Sequence, residues 1–270
     1  MKLSLTEALG LTREPFDKNL PAKDLFISSQ IQLLFDKLKF FLKRRGIAVI
    51  TGEIGTGKST ASRAFIEKLE KNLYDIAYIC DPTIGFKGIL SQIASQLKLE
   101  TCHFKWKLVE RLKTYIEKNA SEYNKTTLVV IDEAQLLKPG ILEGLRLFTN
   151  FQFDSLSPMN LIFVGQPDFC DTIRLNSLKA LNQRINFRYH ISGLDKNEVN
   201  AYIKHHLEKA GRTDDLFTDD VINDIFQQAK GIPRVINNLC YECLIDIYQE
   251  DKNIVDSTTL EKVLINLDVG

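Results

Sequence analysis

Eight consecutive residues, Gly52-Glu53-Ile54-Gly55-Thr56-Gly57-Lys58-Ser59, fit the spacing G-x-x-x-x-G-K-[ST]. Glycines at these places let successive backbone N–H groups turn inward around an anion. A helix that follows the loop presents its positive end to the same charge. Lys58 would then reach the β- and γ-phosphates of a nucleoside triphosphate, and the Ser59 hydroxyl would hold Mg²⁺. The cradle is expected to run from Gly52, Glu53, Ile54, Gly55, Thr56, Gly57, Lys58 and Ser59 to Thr60, with ATP and Mg²⁺ as cofactors.

The run Leu128-Val129-Val130-Ile131-Asp132-Glu133 supplies the other half. Four apolar residues lift Asp132 to the C-terminal edge of a sheet, where ligands bind in open α/β folds. Asp132 would hold the metal through water, and Glu133 is the natural base to polarise an attacking water. A small-molecule kinase shares the loop and the aspartate, but the adjacent glutamate favours water as the acceptor.

These residues need strands and helices to position them. Residues 47–52, 76–80, 128–132 and 161–165 read as short apolar strands. Residues 30–44, 58–71, 86–98 and 105–119 have helical periodicity. In 30–44, Ile31, Leu34, Phe35, Leu38, Phe41 and Leu42 share one face. Continuous apolar strands alternating with amphipathic helices predict a parallel sheet covered on both faces. Residues 1–29 read as irregular. Beyond about Leu194 the strands stop, and 195–210, 218–229, 232–249 and 257–267 read as helices. The expected organisation is an α/β domain over 1–193 followed by a small all-α domain over 194–270.

A chain of 270 residues, 44% hydrophobic and 26% charged, has the balance of a soluble globular protein. No run reaches the ~18 apolar residues of a membrane span, and Glu7 interrupts any signal-like core. A cytoplasmic protein without membrane contact is expected. The five cysteines are scattered, which suits reduced thiols. Cys240 and Cys243 form a lone CxxC inside a helical stretch and read as packing residues. Net charge is zero, which argues against a protein that coats DNA by charge alone. The charge is uneven, however. From Asp195 onward there are 15 acidic and 8 basic residues, so the part before it is basic. Two readings stand, a basic face and ordinary solvated helices.

The order GEIGTGKS, LVVIDEAQ, LIFVGQPD, LNQRI and KGIPRVINNL resembles an AAA+ ATPase. More narrowly, it resembles the bacterial group of ExeA-type ATPases and the transposition regulators TnsC, TniB and Mu B. The resemblance runs from about Leu9 to the C-terminus. It implies a P-loop AAA+ αβα domain followed by a helical lid, and it implies roles. Gln166 would take the sensor-one place that positions the attacking water. Arg184 would be an arginine finger reaching the γ-phosphate of a neighbouring subunit, with Arg174 as its competitor, and Arg234 the sensor-two arginine. Surface salt bridges are the alternative for both Arg184 and Arg234. Phe16, with Leu11 and Pro15, would flank the adenine, against plain packing as the alternative. Gln135 stands where many relatives carry histidine, and is expected not to affect hydrolysis because Asp132 and Glu133 are intact.

ExeA-type proteins carry a membrane span and a peptidoglycan-binding region that this sequence lacks, which counts against secretion. The resemblance therefore implies a regulator of DNA transposition. Its partners would be further copies of itself in a ring or helical filament, double-stranded DNA, and a DDE-type transposase. DNA contact is expected from Lys87 and from residues 101–107, Thr101 and His103 among them, with Lys105 and Lys107 toward phosphates and Trp106 packing or stacking. The same stretch suits an amphipathic helix with Phe104, Leu108 and Leu112 inward. A secretion or cell-envelope ATPase and a signalling or defence switch are the alternative functions. His205 and His206 have no acid or nucleophile beside them and read as surface or packing residues, and His103 and His190 carry no catalytic signal.

Overall fold

A computed structural model describes residues 4–17, 20–152 and 157–268. The outer ends of both expected domains, 1–3 and 269–270, lie outside the described residues. In chain order the elements are α1 (Leu5–Ala8), α2 (Ser29–Arg44), β1 (Gly46–Gly52), α3 (Lys58–Glu67), β2 (Tyr74–Ile79) and α4 (Gly85–Gln96). Then come α5 (Lys105–Glu122), β3 (Thr126–Ile131), α6 (Pro139–Phe148), β4 (Met159–Gly165), α7 (Asp168–Ile173), α8 (Lys179–Arg184) and β5 (Ile185–Ile191). Four helices follow: α9 (Lys196–Lys209), α10 (Asp219–Ala229), α11 (Pro233–Gln249) and α12 (Ser257–Asp268).

Residues Gln30–Ile54 and Lys58–Ile191 form one compact unit. Its five strands are parallel, in the order β2-β3-β4-β1-β5. Strands β3 and β4 are buried along their whole length, as the continuous apolar runs require of a sheet covered on both faces. The six residues of α2 expected to share a face are the ones that are buried. That helix stops at Arg45 and Gly46, both with positive φ. A Cβ on Gly46 would lie 2.4 Å from the Asn186 side-chain nitrogen, so only glycine fits there.

The sheet has one strand more than the sequence pattern gave. β5, INFRYHI, alternates buried and exposed residues and pairs only with β1. An edge strand keeps one face toward solvent, so it lacks the apolar run that marks its neighbours. The short helices α6, α7 and α8 were likewise not expected from periodicity. Nor is the N-terminus wholly irregular. Ser4 caps α1 through a reciprocal bond pair with Glu7, and Ala22–Asp24 form a single 3-10 turn.

The second compact unit is Ser192–Gly270 together with Met1–Ser29 and Gly55–Gly57. The N-terminal segment, expected with the α/β domain, thus packs with the helices. Leu9, Leu11 and Phe16 join one core with Leu194, Ile203, Leu207, Ile236 and Leu244. Arg212 donates to the Leu9 carbonyl at 2.8 Å, and Arg13 to that of Lys209 at 2.8 Å. Cys240 and Cys243 are fully buried in this core. Burial pushes both thiols up, Cys243 to about 12, as fits inert packing residues.

His206 is buried in the same core, its ring stacked on Phe16 at 5.2 Å and tilted against Tyr202 at 4.4 Å. Burial, with smaller contributions from His205 and Arg13, lowers its pKa to about 4. The folded chain therefore holds it neutral where the unfolded chain protonates it. Its contribution is fully present above about pH 6.5 and is lost as pH falls toward 4, with about 3 kcal/mol at stake. The melting temperature should fall across that window. His206→Phe, which keeps a ring against Phe16, should flatten the fall; an equally steep fall in the variant would contradict this assignment.

Candidate nucleotide site

The site is built on the C-terminal ends of neighbouring strands. β4 pairs with β3 on one side and with β1 on the other. The segments leaving β1, β3 and β4 therefore emerge side by side, and they are the glycine loop, Asp132-Glu133 and Gln166. This is where the reversal of strand order opens a crevice in such sheets.

The loop is shaped for an anion. Gly55 and Gly57 have φ of +87° and +88°, a region that turns backbone N–H groups to one side. Thr56 is buried, while Glu53, Ile54, Ser59 and Thr60 are exposed. Lys58 is buried at 8% exposure, and its ammonium donates to the carbonyls of Gly52 at 2.7 Å and Glu53 at 2.8 Å. The lysine is thus folded onto its own loop. Within the helical unit, to which Gly55–Gly57 belong, the Arg234 N–H donates to the Gly55 carbonyl at 3.2 Å. A Cβ on Gly55 would lie 2.8 Å from that of Arg234. The Arg234 side chain is exposed.

Asp132 directly follows β3 and is 5% exposed. Its Oδ1 accepts from the Glu133 N–H at 2.9 Å, and its Oδ2 from the Tyr78 hydroxyl at 2.5 Å. One phenol therefore orients Asp132, one of the two residues expected to hold Mg²⁺. Burial, reinforced by the Asp132 carboxylate, raises the phenol well above its usual range, so it stays a donor. A hydroxyl and a carboxylate with room for water and phosphate oxygens are the hard, incomplete oxygen set that Mg²⁺ takes. The residues present fit the ion.

Glu133 has φ of +51°, a left-handed conformation that few non-glycine residues adopt. It is fixed by the turn Ala134–Leu136, where the Leu136 N–H donates to the Glu133 carbonyl at 2.9 Å. One carboxylate oxygen accepts from the Gln135 amide at 2.5 Å. The Gln135 amide oxygen accepts from the Gln166 N–H at 3.1 Å. Sequence reasoning missed Tyr78, and it named Gln135 without giving it a role in hydrolysis. The register offered a signal for Tyr78. It pairs with Val130, so it shares a face with Asp132, two residues on.

The remaining expected residues are dispersed. Arg184 ends α8 and donates to the Asn150 side chain. Arg174 forms an exposed pair with Asp171 at 3.0 Å. Phe16 lies in the helical core against His206 and Phe217, as the packing alternative required. Lys87, Thr101, His103, Lys105 and Lys107 are all exposed. Lys105 sits 5.5 Å from the ring of Phe86, the residue before Lys87, and Lys107 lies over the rings of Phe104 and Trp106. Leu108 and Leu112 face inward as the amphipathic alternative has it, but Phe104 is 57% exposed and not inward. Its place at the start of α5, one turn before the core contacts begin, leaves it outside.

Tyr78→Phe keeps the ring and removes the hydroxyl. It is expected to raise the Mg²⁺ concentration that half-saturates binding of a fluorescent ATP analogue about tenfold, the usual scale for an outer-sphere partner. An unchanged midpoint would remove Tyr78 from the metal site.

Residues 42–173 match the AAA domain family AAA_22. The chain is 33% identical over 244 residues to general secretion pathway protein A of Aeromonas hydrophila, a match covering 89% of this chain and 44% of that protein. It is 24% identical over 173 residues to an uncharacterised HTH-type transcriptional regulator of Methanocaldococcus jannaschii, covering 62% of this chain and 42% of that one. The chain thus spans less than half the length of either relative. Among solved structures, Cdc6p of Pyrobaculum aerophilum superposes with a TM-score of 0.65 at 20% identity, over 89% of this chain and 67% of that one. The Aeropyrum pernix ORC2 protein, in its ADPNP-ADP complexes, gives 0.68 at 16%, over 93% and 70%. The Thermotoga maritima RuvB branch migration motor gives 0.60 at 17%, over 91% and 71%. Sheet order, glycine loop and the match over residues 42–173 together show a five-stranded parallel sheet with flanking helices on the AAA+ P-loop fold.

Proposed function

We propose that the chain is a Mg²⁺-dependent ATPase whose ATP-bound state assembles with further copies of itself and whose hydrolysis releases them. The supporting observation is the row of strand ends. It sets the loop lysine, the Tyr78–Asp132 oxygens and the Glu133 carboxylate on one edge of the sheet. In this reading Lys58 binds the β- and γ-phosphates. Ser59 and Asp132 hold the ion, which neutralises phosphate charge when bound. Glu133 takes the proton of an attacking water, and Gln166 holds that water in line. Arg184 completes the site of a neighbouring subunit, a contribution worth ~10³–10⁵ in rate where such fingers act. Arg234 serves as the sensor-two arginine.

The finer reading is regulation of DNA transposition, with the oligomer on double-stranded DNA and a DDE-type transposase as partner. The exposed lysines and aromatics at the start of α5 support it, since cations beside exposed rings suit phosphates and bases alike. A second reading, an ATPase acting on protein partners, is favoured by the 33% identity to a secretion-pathway protein.

The readings are separated by imaging the protein with ATP, Mg²⁺ and random duplex DNA while measuring ATP turnover. Lys58→Ala should lose nucleotide binding and assembly together. Glu133→Gln should bind ATP, lose ~10²–10⁴ in turnover and remain assembled; faster disassembly than wild type would contradict the role given to hydrolysis. The triple change Lys87→Ala, Lys105→Ala, Lys107→Ala should weaken DNA binding and shallow its salt dependence by about one per lysine in contact. Assembly and turnover both indifferent to DNA would leave the protein-partner reading.

A further inference from the structure

We propose that Gln135 is a positioning residue for Glu133, tying the carboxylate that handles water to the end of the strand that carries Gln166. The proposal deepens the ATPase reading and rests on it.

Gln135 is half-buried and both ends of its amide are used. The nitrogen donates to Glu133 Oε2 at 2.5 Å and the oxygen accepts from the Gln166 N–H at 3.1 Å. Only this amide orientation works. Turned over, it would set oxygen against carboxylate and NH₂ against N–H, two repulsive contacts in place of two bonds. The arrangement also needs Gly165. A Cβ there would lie 3.0 Å from the Gln135 oxygen and 3.3 Å from its backbone nitrogen, so a side chain at 165 would crowd the amide.

The geometry assigns a mechanical role. The Glu133 backbone is already set by a left-handed turn, but its side chain still has free torsions. Gln135 removes that freedom by holding Oε2, which leaves Oε1 to take a proton from water. The other end of the amide holds the first N–H beyond β4, on the residue expected to position the same water. Base and sensor are then held by one rigid amide, and a shift of the β4 end on nucleotide binding is transmitted to the carboxylate. Alignment of this kind is lost by small displacements, so the effect is expected in turnover and not in affinity.

Gln135→Met keeps the length and removes both bonds. The expected result is a kcat lowered ~10–100-fold, with KM and the dissociation constant for an ATP analogue within about twofold of wild type. Hydrogen exchange at the Gln166 amide should rise, a readout independent of hydrolysis. In the Glu133→Gln background the same change should lower residual turnover no further, because the two residues act as one unit. A structural role would subtract equally in both backgrounds. Should Gln135→Met fail to fold, Gln135→Glu serves. It keeps an acceptor for the Gln166 N–H, loses the donor and sets a second carboxylate beside Glu133, so kcat should fall at least as far. Wild-type kcat in a folded variant, or an equal loss in the Glu133→Gln background, overturns the proposal while leaving the ATPase reading intact. A wild type that binds ATP without hydrolysing it overturns both.

Discussion

Strand β4 is hydrogen-bonded to β3 along one edge and to β1 along the other, although strand β2 and helices α3, α4 and α5 intervene in sequence between those partners. Backbone pairing at about 4.8 Å between strands fixes how far apart their ends can lie. The phosphate loop, the acidic pair and Gln166 are therefore neighbours because of backbone geometry, before any side chain contributes. Apolar packing enforces the pairing. Val49, Val129, Ile131, Leu161 and Phe163 are buried in one core with helix residues such as Leu108, Leu112 and Leu142. A slip of one residue would turn each of these side chains to the opposite face.

On that frame, polar side chains divide the work between orienting and reacting. Asp132 has both oxygens engaged, one by a backbone N–H and one by Tyr78. Glu133 has one oxygen held by Gln135. Carboxylates pinned in this way stand ready in place, and a reaction that begins with its dipoles aligned has less reorganisation to do. Lys58 is the exception, since it rests on its own loop's carbonyls. In the proposed reading, its motion is the local rearrangement that phosphate binding asks of the loop.

The strands that carry chemistry were legible because each is a continuous apolar run ending in a functional residue. β5 was not, since an edge strand such as INFRYHI alternates polar and apolar residues. Phe16 shows another limit. Its sequence neighbourhood resembles an adenine-flanking segment, but its ring stacks on His206 in the helical core, a contact across 190 positions that no local pattern encodes. Gln135 stands out in the sequence only as a departure from relatives, and intact Asp132 and Glu133 leave it no evident role there. Its importance lies in bonds that join the ends of two strands, and such bonds become readable only once the register is known. Lys58, Asp132 and Glu133 needed no register, as their spacing within single segments already specifies the chemistry.

The central claim is that the loop lysine, the metal pair and the held base address one triphosphate. A structure determined with Mg²⁺ and a non-hydrolysable ATP analogue tests it most directly. The account predicts Lys58 moved from the Gly52 and Glu53 carbonyls onto the β- and γ-phosphates, the ion beside Ser59 and Asp132, and Glu133 still bonded to Gln135 with its free oxygen toward the γ-phosphate. A nucleotide bound away from the loop, or a Glu133 carboxylate turned out of the site, would contradict it.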